Sequence, residues 1–331
     1  MYLWRPEKLY PTTQGCCKNV QTHVHQIKKS MTHQILRKKI IINHISASRK
    51  PYGYGEAVLK DMLKKYMDVP VSSIAVTEYG GHATDIARSS TAADMIIAVG
   101  GDGTIGEVLN GMDVSRQILG VIPYGTGNSL ARDTGIRKLT VAMEAVKNCR
   151  VRKVDLIKAR FRVQNDWHTK YVVATCGIGY TAKVTNIANH CFKKIRPLCY
   201  PIASMIGLSR QRKLHAKISV DSCINEKDVE FTMFVVNNTQ FAGNFRVFPR
   251  AAIDDGEFDI TYGSNNFLRQ LLFDLSVLTR LYFYAPAKFL KAKSLKIALQ
   301  KPALLMLDGE IFDNVSEVIF EIQPQMLNLV V

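Results

Sequence analysis

From Lys38 onward the apolar residues fall into short blocks separated by polar turns. Residues 39–43 (KIIIN) and 95–99 (MIIAV) are apolar runs of strand length. Such runs predict strands buried on both faces. Residues 71–77 (VSSIAVT) and 118–122 (ILGVI) predict two more. Between and after these strands, apolar residues recur at helical spacing in 55–67, 83–90, 104–112 and 139–148. Strands alternating with helices predict a parallel, doubly wound, Rossmann-like sheet over residues 38–150.

Near residues 145–156 the rhythm changes. Strand patterns at 151–161, 170–176, 214–220, 229–237, 257–262 and 294–300 follow without a helix between each pair. They predict an antiparallel, sandwich-like β-rich domain over 151–331. Helical stretches interrupt it at about 180–209 and 265–283. Residues 1–37 show no periodicity and read as a flexible extension, with Met31 an alternative start. They contain no apolar core of the signal-peptide type. The fold class is therefore α/β followed by β.

Composition narrows the partners. The 331 residues carry 44 Lys and Arg against 28 Asp and Glu, a formal charge of +16. This surplus favours an anionic partner: nucleotide phosphates, nucleic acid or an acidic membrane. No basic-aromatic motif points to nucleic acid, which is not expected as a partner. The 7 cysteines are odd in number and form no CxxC pair. They read as free thiols in a reducing compartment, and no zinc site is expected. No apolar run reaches about 18 residues, so no transmembrane helix is expected.

The candidate chemistry lies in two glycine loops. Gly100-Gly101-Asp102-Gly103-Thr104 closes a buried strand and opens a helix. Backbone N–H groups in such a loop, with the positive end of the helix, suit a phosphate. Thr104 and Glu107 fit a capping box for that helix. Asp102 would repel a phosphate unless it binds Mg²⁺ or handles a proton; otherwise it is a capping residue of a structural turn. Gly125-Thr126-Gly127-Asn128 follows the next strand, with Asn128 or Ser129 capping another helix. Paired loops at the carboxyl ends of neighbouring strands mark the ligand crevice of α/β folds. His82 reads as a helix-start residue.

These two loops, with FPRAAIDDGEFDI (248–260) and LDGE (307–310), resemble the catalytic domain of diacylglycerol and sphingosine kinases, most closely the soluble bacterial lipid kinases. The resemblance spans about residues 38–331. It implies an NAD kinase/diacylglycerol kinase-like fold with an ATP-binding domain, a β-rich acceptor domain and the active site in the cleft between them. It also implies MgATP and a lipid hydroxyl acceptor. Gly100, Gly101, Asp102, Gly103, Thr104, Gly106, Glu107, Gly125, Thr126 and Asn128 would surround the nucleotide phosphates, with Asn43, Ser46 and Thr77 beside them. Asp255, with main-chain oxygens of Ala252 and Glu257, matches a structural Mg²⁺ site. Glu310 matches the general base, with Asp102 as runner-up.

One motif departs. Where the family has Asn-Pro-x-Ser/Ala-Gly, this chain has Asn43-His44-Ile45-Ser46-Ala47, without the proline and the final glycine. An NAD kinase-like enzyme and a catalytically silent nucleotide- or membrane-binding module are the competing readings. The basic-flanked stretches 190–213 and 281–296 fit either interfacial membrane contacts or core helices. The expected setting is cytoplasmic with peripheral membrane association, and the oligomeric state is open, a dimer included.

Overall fold

The structure, a computed structural model, describes residues 36–48, 50–191, 203–204, 206–207, 212–221, 226–242, 245–263 and 288–331. Arg37–Val331 packs as one compact unit. The expected extension over 1–37 falls almost wholly outside the described residues, as do the helical stretch 265–283 and most of 190–213.

The first part is the expected α/β arrangement. Strands β1 (Lys38–Ile42), β2 (Ile74–Val76), β3 (Met95–Gly100) and β4 (Ile118–Pro123) lie in the order β4-β3-β1-β2. All neighbouring pairs are parallel. Ile40, Ile41 and Ile42 of β1 and Met95 to Val99 of β3 are fully enclosed. That is why both read as uninterrupted apolar runs rather than alternating ones. Helices Glu56–Met67, His82–Ser89, Asp102–Leu109 and Leu139–Asn148 cover the sheet. Residues 71–73, expected at the start of a strand, form a 3₁₀ turn after Pro70 instead.

The rest is β-rich. It comprises β5 (Val151–Val163), β6 (Asp166–Val172), β7 (Thr175–Gly179), β8 (Leu214–Val220), β9 (Lys227–Phe231) and β10 (Met233–Asn237). After these come β11 (Phe241–Ala242), β12 (Phe245–Arg246), β13 (Phe258–Gly263), β14 (Lys288–Ala292), β15 (Ser294–Leu307) and β16 (Glu310–Val330). Helix Tyr180–Cys191 accounts for the described start of the helical stretch at 180–209. The β-rich core is built from large apolar side chains on several strands, among them Phe161, Phe231, Phe234, Phe258 and Phe320.

Two single expected strands are each broken in two. Residues 170–176 divide between β6 and β7, and 229–237 divide at Thr232, whose N–H donates to Gly263 O at 2.9 Å. In both places a backbone N–H leaves the ladder for a partner elsewhere, so the strand turns.

β16, absent from the sequence reading, is the largest departure. Its 21 residues pair antiparallel with β15 and β5, and Asn328 and Leu329 pair parallel with Ile118 and Leu119 of β4. The two parts therefore share a single sheet, fourteen-stranded among the described residues. Pro324 and the left-handed Gln325 (φ 51°) fall at a register shift between Gln323 and Leu327. That bulge hides the strand from a period-two reading.

Asp155 of β5 holds this bulge in place. It is fully buried. Its carboxylate accepts from Gln325 N and Gly256 N, both at 2.7 Å. Its own N–H donates to Ile253 O at 2.7 Å. Replacing Asp155 with Ala should cost about 1–3 kcal/mol for each donor left without an acceptor. Asp254→Ala, which removes only a half-exposed pair with Arg152, should cost about 0–1 kcal/mol. Urea midpoints of the two variants measure the contrast; equal losses would contradict it.

Candidate active site

Gly100 pairs with Pro123, so the two glycine loops leave the sheet side by side. Tyr124 N donates to Gly100 O at 2.8 Å. A Cβ on Gly125 would stand 2.2 Å from Gly101 Cα. The loops therefore touch backbone to backbone, and a side chain at 125 would force them apart. Asn128, left-handed at φ 54°, seals the second loop. Its Oδ1 accepts from Gly125 N and its Nδ2 donates to Gly125 O, each at 3.0 Å. Thr126 and Gly127 form the half-buried outer part of the loop, where Gly127 O accepts from Arg132 Nε at 2.8 Å.

Asp102 is the first residue of helix Asp102–Leu109. Its carboxylate caps the next helix, Ser129–Asp133, accepting from Ser129 N at 2.7 Å and Ser129 Oγ at 3.2 Å. Burial pushes its pKa up despite these bonds. Neither Asn128 nor Ser129 caps that helix with its side chain; Asp102 does so from across the crevice.

The expected Thr104–Glu107 capping box does not form. The helix starts two residues earlier, after extended Gly101, which places Thr104 inside the first turn. Thr104 is buried over Gly100, where a Cβ would meet its side chain. Glu107 reaches out of its own helix and accepts from Ala83 N at 3.3 Å, in the first turn of helix His82–Ser89. Its main-chain oxygen accepts from Thr84 Oγ1 at 2.8 Å. His82 is the first residue of that helix, with Nδ1 accepting from Glu78 N at 3.0 Å.

The altered first loop has its own solution. Asn43 Oδ1 accepts from Ser46 N at 2.9 Å and caps a helical turn, His44–Ser48. Ala47 is buried inside that turn. A helical turn needs no positive φ, so the absent glycine is not missed here. Thr77, also buried, accepts from His44 N at 3.2 Å and fixes the turn against β2.

Across the crevice stands the β15–β16 hairpin. Its two turn residues, Asp308 (φ 45°) and Gly309 (φ 90°), are left-handed, the two-residue geometry that matches strand twist. Asp308 points inward. Oδ2 accepts from Val173 N at 2.9 Å, and Oδ1 accepts from Ala174 N at 3.0 Å and Thr175 N at 2.9 Å. Taking three consecutive N–H groups out of the ladder is what separates β6 from β7. Burial, with some help from the charge of Asp102, raises Asp308 to about 7 against these three bonds.

Glu310, two residues on, is exposed, and its two oxygens accept from Lys170 Nζ at 3.1 and 2.8 Å. Asn110, at the C-terminal end of helix Asp102–Leu109, clasps β6. Its Oδ1 accepts from Tyr171 N at 2.8 Å and its Nδ2 donates to Tyr171 O at 2.9 Å. These contacts enclose a pocket of about 190 Å³, with Gly103, Gly106 and Asn110 on one wall and Lys170, Asp308 and Glu310 on the other. Asp308, Lys170 and Asn110 had no role in the sequence reading. Asp308 sat inside the LDGE motif, but its partners lie more than 130 residues away.

At residues 252–257 the Asp255 carboxylate is engaged within the chain. Asp255 Oδ1 accepts from Glu257 N at 3.2 Å, and Oδ2 accepts from Lys291 Nζ, an ammonium already balancing that charge. Lys291 also lies 3.7 Å from Asp259. Among the described residues no group of three or more His, Cys, Asp or Glu is placed to hold a metal.

Comparison with known proteins gives a consistent picture. Residues 37–159 match the family model described as the diacylglycerol kinase catalytic domain. Residues 174–331 match the YegS C-terminal NAD kinase beta sandwich-like domain. A diacylglycerol kinase of Bacillus subtilis (strain 168) is 30% identical over 197 residues, covering 57% of this chain and 62% of that protein. The match thus spans less than two thirds of that relative's length. A diacylglycerol kinase of Staphylococcus epidermidis (strain ATCC 12228 / FDA PCI 1200) is 28% identical over 265 residues, covering 76% and 80%. The crystal structure of a diacylglycerol kinase from Bacillus anthracis str. Sterne superposes with a TM-score of 0.62 at 19% identity, covering 90% of this chain and 98% of that one. At that identity the superposition speaks for the fold alone.

Two outcomes test this geometry. Gly125→Ala should destabilise the chain by roughly 1–3 kcal/mol through loop overpacking. It should also weaken nucleotide binding, as thermal melts with and without MgATP will show. For Asp308, the folded value of about 7 exceeds the unfolded value. The native state therefore binds more protons than the unfolded state between about pH 4 and 7, so stability falls as pH rises through that window. Asp308→Asn removes this titration. The wild-type chain should lose stability relative to Asp308→Asn from about pH 4 to 7 and then level off. A wild-type chain that gains on the variant over that range would contradict the assignment.

Proposed function

Since this chain belongs to the bacterial-type diacylglycerol kinase family of lipid kinases, we propose that it transfers the γ-phosphate of MgATP to the hydroxyl of diacylglycerol or a related long-chain lipid alcohol, giving phosphatidic acid or its analogue. The observation that carries this reading is the pocket that sets Gly103 and Gly106 of the phosphate loop opposite Glu310.

Phosphoryl transfer depends on positioning and charge neutralisation more than on covalent help. The first-turn N–H groups of helix Asp102–Leu109 have no intrahelical acceptors, and the positive end of its dipole faces the crevice. They form the cradle for the triphosphate. The second loop, locked to the first at Gly101 and Gly125, completes it. Mg²⁺ arrives with the nucleotide as part of the substrate and offsets phosphate charge.

Glu310 is the general base. It is exposed at the pocket, reachable by an acceptor hydroxyl, and carried by a hairpin that Asp308 pins down. Asp102 is committed to Ser129 and acts as the residue that holds the two loops in register. Residues 38–150 bind the nucleotide and residues 151–331 present the acceptor. No helix among the described residues is long and apolar enough to cross a membrane. The lipid is therefore met at a bilayer surface, an encounter favoured by the charge of +16.

The test is incubation with MgATP and anionic vesicles carrying diacylglycerol, monoacylglycerol or sphingosine, with phosphorylated lipid read by mass spectrometry. Glu310→Gln should lower kcat by about 10²–10⁴ while nucleotide still binds, as expected for loss of a general base. Phosphorylation of NAD with no lipid product would instead favour an NAD kinase-like activity. Nucleotide binding without any product would mark a silent module.

A further inference from the structure

Lys170 supplies the ammonium at the pocket. Glu107, Asp308 and Glu310 line the same pocket. A triphosphate entering beside these acidic side chains is repelled unless a cation turns toward it. In this structure the ammonium is engaged elsewhere, bonded to both oxygens of Glu310. A carboxylate chelating a lysine in this way is poorly placed to take a proton from an acceptor hydroxyl. The pair thus keeps both partners from the work the pocket requires of them.

The stem of Lys170 starts from a well-defined place. β6 pairs Lys170 with Ala159. The neighbouring Tyr171 is clasped by Asn110 of the phosphate-facing helix, so the lysine stem starts at a fixed place relative to the cradle. Nζ also lies 5.5 Å over the Phe312 ring, a weak attraction at a partly exposed site. The side chains of Lys170 and Glu310 are 27% and 48% exposed. An ion pair at such a mouth is weak, and a polyanion displaces it readily.

We propose that Lys170 changes partners during the cycle, leaving Glu310 for the γ-phosphoryl group of the bound triphosphate. This inference rests on the kinase reading above. The exchange neutralises the transferring group and frees Glu310 in one movement, so the base becomes available when nucleotide is present. The acceptor oxygen then bonds to the γ-phosphorus as the bond to the β,γ-bridging oxygen breaks. The hydroxyl proton passes to Glu310, ADP leaves, and Lys170 keeps its proton throughout. Lys170 is therefore a catalytic residue of the loaded enzyme and a positioning residue of the unloaded one.

A double-mutant cycle tests the exchange. Binding of a non-hydrolysable ATP analogue with Mg²⁺ is measured for the wild-type chain, K170M, E310Q and K170M/E310Q. E310Q should bind the analogue several-fold tighter than wild type because Lys170 is released. K170M should bind it more weakly, and E310Q should have no further effect in the K170M background. Initial rates on diacylglycerol in phosphatidylglycerol vesicles should show kcat of K170M reduced by about 10²–10³, the size of a lost charge-stabilising group. K170R should restore most of that loss. K170Q, run alongside, keeps a polar stem if K170M melts early. An E310Q effect of equal size in both backgrounds, or a K170M kcat within twofold of wild type, would overturn the proposal. If the binding cycle holds but no lipid is phosphorylated, the lipid reading fails while the partner exchange stands. If the wild-type chain binds no nucleotide, both fall.

Discussion

The crevice is organised around one buried carboxylate and three backbone N–H groups. Asp308 bonds the N–H groups of Val173, Ala174 and Thr175. Without these bonds the chain at 173–175 would have three N–H groups lacking acceptors, and the turn before Glu310 would lose part of what seats it beside β7. The same bonds fall where β6 ends and β7 starts. The two oxygens of Asp308 together satisfy all three of these N–H groups.

Around that point side-chain-to-backbone contacts fix the geometry, one of them between the two parts and the others within the second. Asn110 clasps Tyr171, Asp155 gathers Gly256 and Gln325, and Asn238 donates to Asp155 O and Val173 O. Each contact reads a backbone group across more than 60 residues of sequence. The crevice is thus held by polar geometry, while Phe161, Phe231, Phe258 and their neighbours supply the bulk of the β-rich core.

The parallel part was legible because its cause is local. Ile40–Ile42 and Met95–Val99 are buried on both faces and read as such, and helix Leu139–Asn148 begins and ends where its spacing says. The glycine loops were legible for the same reason, since the close approach of Gly101 and Gly125 demands small residues in sequence order. What could not be read is what depends on distant partners. Asp102 caps a neighbouring helix and Glu107 serves the helix before its own. Residues 170–176 look like one strand because the acid that breaks them comes from residue 308. β16 was hidden by its own bulge at Pro324 and Gln325. The glycine missing at Ala47 implied a distorted loop, yet one capped helical turn fills the gap.

The long final strand has a consequence for how the chain reaches this state. Asn328 and Leu329 complete the edge of a sheet whose other members were made by residue 123. During synthesis, β4 emerges with one side of its backbone unpaired. It stays so while some two hundred further residues are added. Contacts of such sequence separation form slowly, because the loop must be closed before the pairing repays it. The α/β part therefore acquires its finished edge only after residue 329 has left the ribosome. Until then, the exposed side of β4 is a surface that other unfinished chains can pair with.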